Sequence, residues 1–258
     1  MHIVIHLVLK KNFFDFIDNA LLLAVVNIFV LFVMLAFFLP LSAIKNYWLI
    51  TIFVASANCV FMLLFFAISD FALSISKDKS VSIKFFFRSI KNTIRASVCF
   101  ALFLLALGIV FSIALPFYFS IENFFGKIFA FATVWFAIFL ILALQWLPAI
   151  FVLQNENEKK IIPCVKKAIF IFVDNTAFSF VIFLNTLFLL LLSIFSLGIF
   201  PSFSGIALSY VNALRFRLKK YEGEKKNKID WNEILCEEKK ELSKKTLASI
   251  FFPYKKND

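Results

Sequence analysis

The sequence predicts an all-α polytopic membrane protein with six transmembrane helices, and three observations carry that expectation. Of 258 residues, 62% are hydrophobic and only 17% charged, where soluble domains run at roughly 45–50% apolar and about 25% charged. Several uncharged stretches exceed the length of about 20 residues that crosses a hydrocarbon core. The 27 Lys and Arg residues gather in alternate connecting segments, the pattern left by retention of positive charge in the cytoplasm.

The elements follow in order. Residues 1–18 form an N-terminal interfacial segment; its apolar run before Lys10 is short, the cations follow it, and no small-residue cleavage site comes next, so it reads poorly as a signal peptide. The spans fall at about 19–41, 47–69, 96–120, 128–153, 177–200 and 202–218. The last two share one uncharged run of 40 residues, 175–214, which at 1.5 Å per residue is about 60 Å of helix, twice the core. Gly198 and Pro201 in "LGIFPSFSG" divide it. The sixth span is short, and Arg215 and Arg217 must snorkel to the surface. From 219 to 258 the composition turns soluble and basic: a cytoplasmic tail with an amphipathic helix, capped at Asp230 with Glu233 three residues on. Trp231, Ile234, Leu235 and Leu242 share one stripe of it, and an apolar cluster follows at 250–254.

With the N-terminus inside, the inner segments hold 2, 6, 4 and 13 cations in chain order, the last count taking Arg215 and Arg217 with the tail, while the outer loops hold only Lys45 and Lys127. Six spans with both termini in the cytoplasm satisfy this split, and five would put the 13-cation tail outside. The localisation expected is the cytoplasmic (inner) membrane. The net charge of +11 is explained by topology and anionic lipid headgroups rather than nucleic acid.

The segment "KFFFRSIKNTIR", 84–95, is too charged to cross. Wound as a helix, it puts Lys84, Arg88, Lys91 and Arg95 in one stripe and Ile83, Phe86, Phe87, Ile90 and Ile94 on another face. That predicts an interfacial amphipathic helix from Lys79 to Arg95. Its stripe is either a topology anchor or a docking surface for anionic lipid or a cytoplasmic partner. A weak repeat includes it: "FFDFIDNA", "FFRSIKNT" and "IFIFVDNT" align on Asn19, Asn92 and Asn175, with Pro40, Pro116 and Pro201 further on. Three helical hairpins, each entered through an amphipathic segment, account for that. Helix capping by Asn or chance likeness of apolar sequence accounts for it equally simply.

Chemistry is sparse. No acid, base or His lies within the first five spans, and the catalytic signatures G-x-S-x-G, H-E-x-x-H and the P-loop are missing. Cys59, Cys99, Cys164 and Cys236 are far apart, and His2 and His6 have no nearby ligand partners, so neither a metal site nor a cofactor is expected. The abundance of Phe, 39 residues, reads as codon composition rather than an aromatic site. The buried polar candidates are Asn27, Asn58, Gln145, Asn185 and Asn212, which serve either as interhelical glue or as the lining of a path for a neutral solute. Trp48 and Trp146, near span ends, read as interface anchors, with Trp135 deeper.

In "NIFVLF" (27–32), "FLPLS" (38–42) and above all "FFFRSIKNTIRAS" (85–97), the first 100 residues resemble the YesL-like family of small bacterial integral membrane proteins. The chain departs from that pattern after Pro40, where "LSAIKNYWL" stands. The resemblance implies no catalytic residues and at most an accessory role beside a carbohydrate uptake system. The function expected is therefore non-enzymatic, accessory to solute uptake or envelope assembly, with a membrane protein such as a transporter as partner. A permease-like subunit for a neutral solute is the alternative, and a lipid-modifying enzyme the third reading.

Overall fold

The computed structural model describes residues 2–41, 43–77, 81–154, 160–226, 235–237, 239–240 and 242. They form helices and turns with no strand. Among the described residues nine helices are defined: α1 (His2–Asp18), α2 (Ala20–Leu41), α3 (Tyr47–Ser76), α4 (Ile83–Ser120), α5 (Phe124–Leu144), α6 (Leu147–Leu153), α7 (Ile161–Asp174), α8 (Thr176–Phe195) and α9 (Ser202–Lys226). Five segments among the described residues are long and apolar enough to cross a membrane: α2, α3, α4, the α5–α6 pair and α8. The protein is a membrane-embedded helical bundle, and the large apolar side chains on its outer surface, such as Leu35, Ile113 and Ile138, suit a hydrocarbon solvent.

The bundle is organised round α9, which is not among those five. Between 202 and 217 every residue is buried except Phe203 and Arg215. α1, α2, α3, α6 and α8 all pack against it. The reason is compositional. Ser202, Ser204, Ser209 and Asn212 are spread along the helix, and a helix with polar groups on several sides is ill suited to lipid but well suited to a protein interior. The expectation that Arg215 and Arg217 snorkel outward is corrected here. Arg215 donates from Nη1 to the carbonyl and hydroxyl of Ser76, and Arg217 is buried with its guanidinium 4.1 Å from the Phe178 ring centroid.

Local sequence sets the ends and breaks. Asn46 caps α3, its side chain accepting from the Trp48 amide at 2.9 Å. α3 then runs past the expected end at 69 and carries Asp70 with it. In the fourth span the chain breaks at Gln145–Trp146, because Pro148 has no amide to give the Leu144 carbonyl and its ring clashes with that carbonyl. The break turns Trp146 inward. It is fully buried, stacks on Phe178 at 6.1 Å and donates to Ser179 Oγ at 3.0 Å. Trp146 is thus a core residue and not the interface anchor that its sequence position suggests. Trp48 is exposed, as an anchor is, and so is Trp135.

The turn from α8 to α9 is set by Gly198 at φ 79°, whose amide reaches back to the Ser193 carbonyl at 2.7 Å. A Cβ there would lie 2.9 Å from Leu31, so this turn also seats against α2. The Phe200–Pro201 bond that follows is cis.

The amphipathic entry segments do not behave alike. At Asn19 and Asn175 the helix breaks, each side chain turning back to the carbonyl four residues earlier, Asp15 and Ile171, at 3.0 and 3.3 Å. At Asn92 it does not. α4 is one unbroken helix of 38 residues, about 57 Å long, so 83–95 continues the third span instead of forming a separate interfacial helix; Lys79 lies outside the described residues. The packed face differs too. Phe86, Ser89, Thr93, Ala96 and Ser97 are buried, while Ile83, Phe87 and Ile94 are exposed. Small side chains let α3 and α4 approach closely, and that preference outweighs hydrophobicity in lipid. In the tail, Leu242 belongs to the main core and Leu235 packs against it. Asp230, Trp231, Glu233, Ile234 and the cluster 250–254 lie outside the described residues.

The Trp146 environment gives a test. Trp146→Ala removes a fully buried ring and its hydrogen bond, and thermal unfolding in detergent should show a loss of about 3 kcal/mol. Trp135→Ala, on the outer surface, should change stability by less than about 0.5 kcal/mol.

Candidate functional site

The densest polar cluster lies where the C-terminal half of α1, the end of α3, the middle of α8 and the second half of α9 meet. On α1, Val4, Val8 and Asp15 are all buried, and this stripe presents Asn12 and Asp15 to α9. Asn212 Nδ2 donates to Asn12 Oδ1 at 2.7 Å and to Asp15 Oδ2 at 3.0 Å. Its Oδ1 accepts from Ser76 Oγ. Ser209 Oγ accepts from Asn12 at 3.2 Å and from Asn185 at 2.9 Å. Lys11 completes the cluster with an ion pair to Asp15 at 3.3 Å. On the neighbouring face of α3, Asp70 accepts from Ser89 Oγ at 2.6 Å. A carboxylate as buried as Asp15 requires this full set of donors.

The five predicted amides divide accordingly. Asn185 and Asn212 meet through Ser209. Asn27, fully buried, donates to the carbonyls of Ile199 and Pro201 at 2.8 and 3.1 Å and accepts from the Ser204 amide at 3.0 Å. It thereby ties α2 to the start of α9. Asn58 donates to the Ala101 carbonyl at 3.1 Å across the α3–α4 contact. Gln145, at the helix break, donates to the Ser179 carbonyl at 3.2 Å and accepts from Tyr210 at 3.1 Å, and Tyr210 in turn accepts from Thr186 at 2.8 Å. Each of the five bonds another helix or the turn that precedes one.

The predicted docking residues Lys84, Arg88, Lys91 and Arg95 are all exposed along one side of α4. They flank the packed face. Two large cavities lie elsewhere, of about 440 and 650 Å³, with almost wholly hydrocarbon walls. Phe61 and Phe203 line both and separate them, edge to face at 5.5 Å. Gln145, Thr186 and Tyr210 are the polar residues at the first, and Asn58 at the second.

Among the described residues no group of three His, Cys, Asp or Glu comes together as a metal site would require. Cys164 is buried and donates to Gln154 at 3.3 Å; burial, slightly opposed by Lys167, pushes its thiol above the usual range. Tyr221 bonds Asp174 and accepts from Asn175 at 2.7 Å. Burial, then the bond to Asp174, raises its phenol.

Sequence reasoning missed Asn12, Asp15, Ser76, Ser209 and Arg215 as one cluster. A signal was present: Val4, Val8, Lys11 and Asp15 recur at helical spacing, so Asp15 shares a face with residues that must be covered. No protein-family model, curated protein or solved structure matches this chain.

The amides make unequal contributions that can be measured. Asn27→Leu takes the side-chain partner from the Ile199 carbonyl and the Ser204 amide in a dry site, while the Pro201 carbonyl keeps the Gly205 amide, and should cost about 2–3 kcal/mol in detergent unfolding. Asn58→Leu removes one interhelical bond and should cost about 0.6 kcal/mol.

Proposed function

We propose that the protein is a non-enzymatic component of the cytoplasmic membrane, accessory to a solute-uptake or envelope-assembly system, which it meets through its cationic inner face. The single observation that carries this reading is the fate of polarity in the bundle. The amides, Asn27 and Asn212 buried and Asn58, Gln145 and Asn185 half-buried, bond neighbouring helices, whereas Lys84, Arg88, Lys91 and Arg95 stay exposed on one side of α4. Polar groups are thus used to hold the bundle, and charge is displayed at one end. The likeness of 85–97 to the YesL-like family supports the same reading and points to a carbohydrate uptake system as the partner.

In this reading α9 is the sixth crossing, sheltered from lipid, and both termini are cytoplasmic. The cation split supports it, and so does the packing of α2 on α3, α4 on α5 and α8 on α9 as consecutive hairpins. The burial of Leu242 supports a tail that folds back under the bundle. The permease alternative needs amides turned toward a polar path, and the walls of the two large cavities are hydrocarbon.

Two experiments test the proposal. Cysteines placed at Lys45, Lys127 and Leu197 should label from outside, and at Lys160 and Lys240 only from inside. Ser202 is too buried to report on the outer side. Labelling of position 240 from outside contradicts the topology. Purification in native lipid should yield a protein partner that Lys84→Glu, Arg88→Glu and Lys91→Glu together release. A bound neutral solute with no protein partner favours the permease.

A further inference from the structure

The cavity of about 440 Å³ is walled by α3, α4, α5, α8 and α9, with Pro148 of α6 beside them. Its volume is that of an ordinary ligand pocket, about 300–1,000 Å³, and a space between the helices of a bundle is a usual place for one. Along α4 the wall runs from Phe100 to Phe111, about 16 Å of helix. One leaflet of hydrocarbon is about 15 Å deep, so the cavity is as long as a lipid chain's own layer. Ile141 of α5 and Leu190 of α8 line the space and are exposed as well. That places its mouth between these two helices, both of them apolar enough to cross a membrane.

The chemistry of the wall selects the occupant. Only Gln145, Thr186 and Tyr210 are polar there, and none of the lining side chains is charged. The three are already engaged with protein. Thr186 donates to Tyr210 at 2.8 Å, Tyr210 donates to Gln145 Oε1 at 3.1 Å, and Gln145 Nε2 donates to the Leu142 and Ser179 carbonyls at 2.8 and 3.2 Å. A headgroup or a sugar drawn inside would give up its bonds to water with little in return. Water does not fill an apolar space of this kind, and leaving it empty costs stability that grows with its volume. What surrounds the mouth in a bilayer is hydrocarbon chain.

We propose that this cavity holds one acyl chain of a membrane phospholipid, which enters between α5 and α8 and packs as part of the core while its headgroup stays outside. The proposal rests only on the bundle being embedded in a membrane. It stands or fails separately from the accessory role and from the orientation of the termini.

Trp146 reports on the site. It is fully buried and meets the Tyr210 ring edge to face at 5.8 Å, one ring behind the wall. The full-length chain with Trp48, Trp135 and Trp231 replaced by Phe is reconstituted in phosphatidylcholine brominated at mid-chain, and the Trp146 fluorescence is compared with that in the unbrominated lipid. The bromines should quench Trp146, and acrylamide in the aqueous phase should not. Ala137→Phe and Leu107→Phe each fill part of the cavity from a different helix, and each should abolish most of the quenching. Ala132→Phe, on the exposed surface of α5, should leave it unchanged. Two filling variants guard against one that fails to fold. Trp146 left unquenched by brominated chains, or quenched equally in both filling variants, overturns the proposal. So does quenching by acrylamide, which marks a water-filled space, and so does a bound isoprenoid that the brominated lipid fails to displace.

Discussion

The fold depends on the burial of α9. A helix that carries Ser204, Ser209, Asn212, Arg215 and Arg217 loses several kcal/mol for each polar group presented to hydrocarbon without a partner. Enclosing it solves that problem once for the whole bundle. α1, α2, α3, α6 and α8 surround it, and the polar groups of α9 become the points at which those helices are tied. Lipid tails are as apolar as leucine, so apolar burial alone gives the helices little reason to associate. Hydrogen bonds and close packing must hold them together, and here both converge on one central element.

Charge is arranged by depth around the same helix. Arg217 lies on the Phe178 ring, whose other neighbour is the stacked Trp146, while Arg215 reaches Ser76. Asp15 is paired with Lys11 and bonded by Asn212. These groups sit at one end of the bundle. The large cavities are lined by Phe61, Phe203 and other apolar side chains and carry no ionisable wall except the Tyr210 phenol. Partial or full burial of a charge persists in a protein only where partners are built for it; Asp15, Arg215 and Arg217 take theirs from α1, α3, α8 and α9.

How much of this was legible in the sequence depends on which physical effect decided each element. The four long apolar spans and the divided 40-residue run follow from hydropathy and length, and the structure keeps them. The role of α9 was not read, because Arg215 and Arg217 were weighed as obstacles to crossing; the spread of Ser204, Ser209 and Asn212 was the better signal of enclosure. Trp146 was misread because position along the span was taken for depth, and the bend at Pro148 changes that depth. On α4 the four cations lie exposed along one side, but the packed face was misread, since Ser89, Thr93 and Ser97 pack through smallness, a criterion that hydrophobic periodicity does not rank. The amides were found by type, but which helix each one joins, and the contribution of Asp15, depend on contacts between residues 24 to 200 positions apart.

The central claim, that α9 is enclosed on several sides, is tested most directly by crosslinking in the native membrane. In a chain freed of its four native cysteines, the pairs Asn12→Cys with Ser209→Cys, Ser76→Cys with Asn212→Cys, and Asn185→Cys with Ser209→Cys join α9 to α1, α3 and α8 in turn. With a short bifunctional thiol reagent, the account predicts efficient crosslinking for all three pairs. Crosslinking of α9 to α8 alone, its neighbour in the chain, would contradict it.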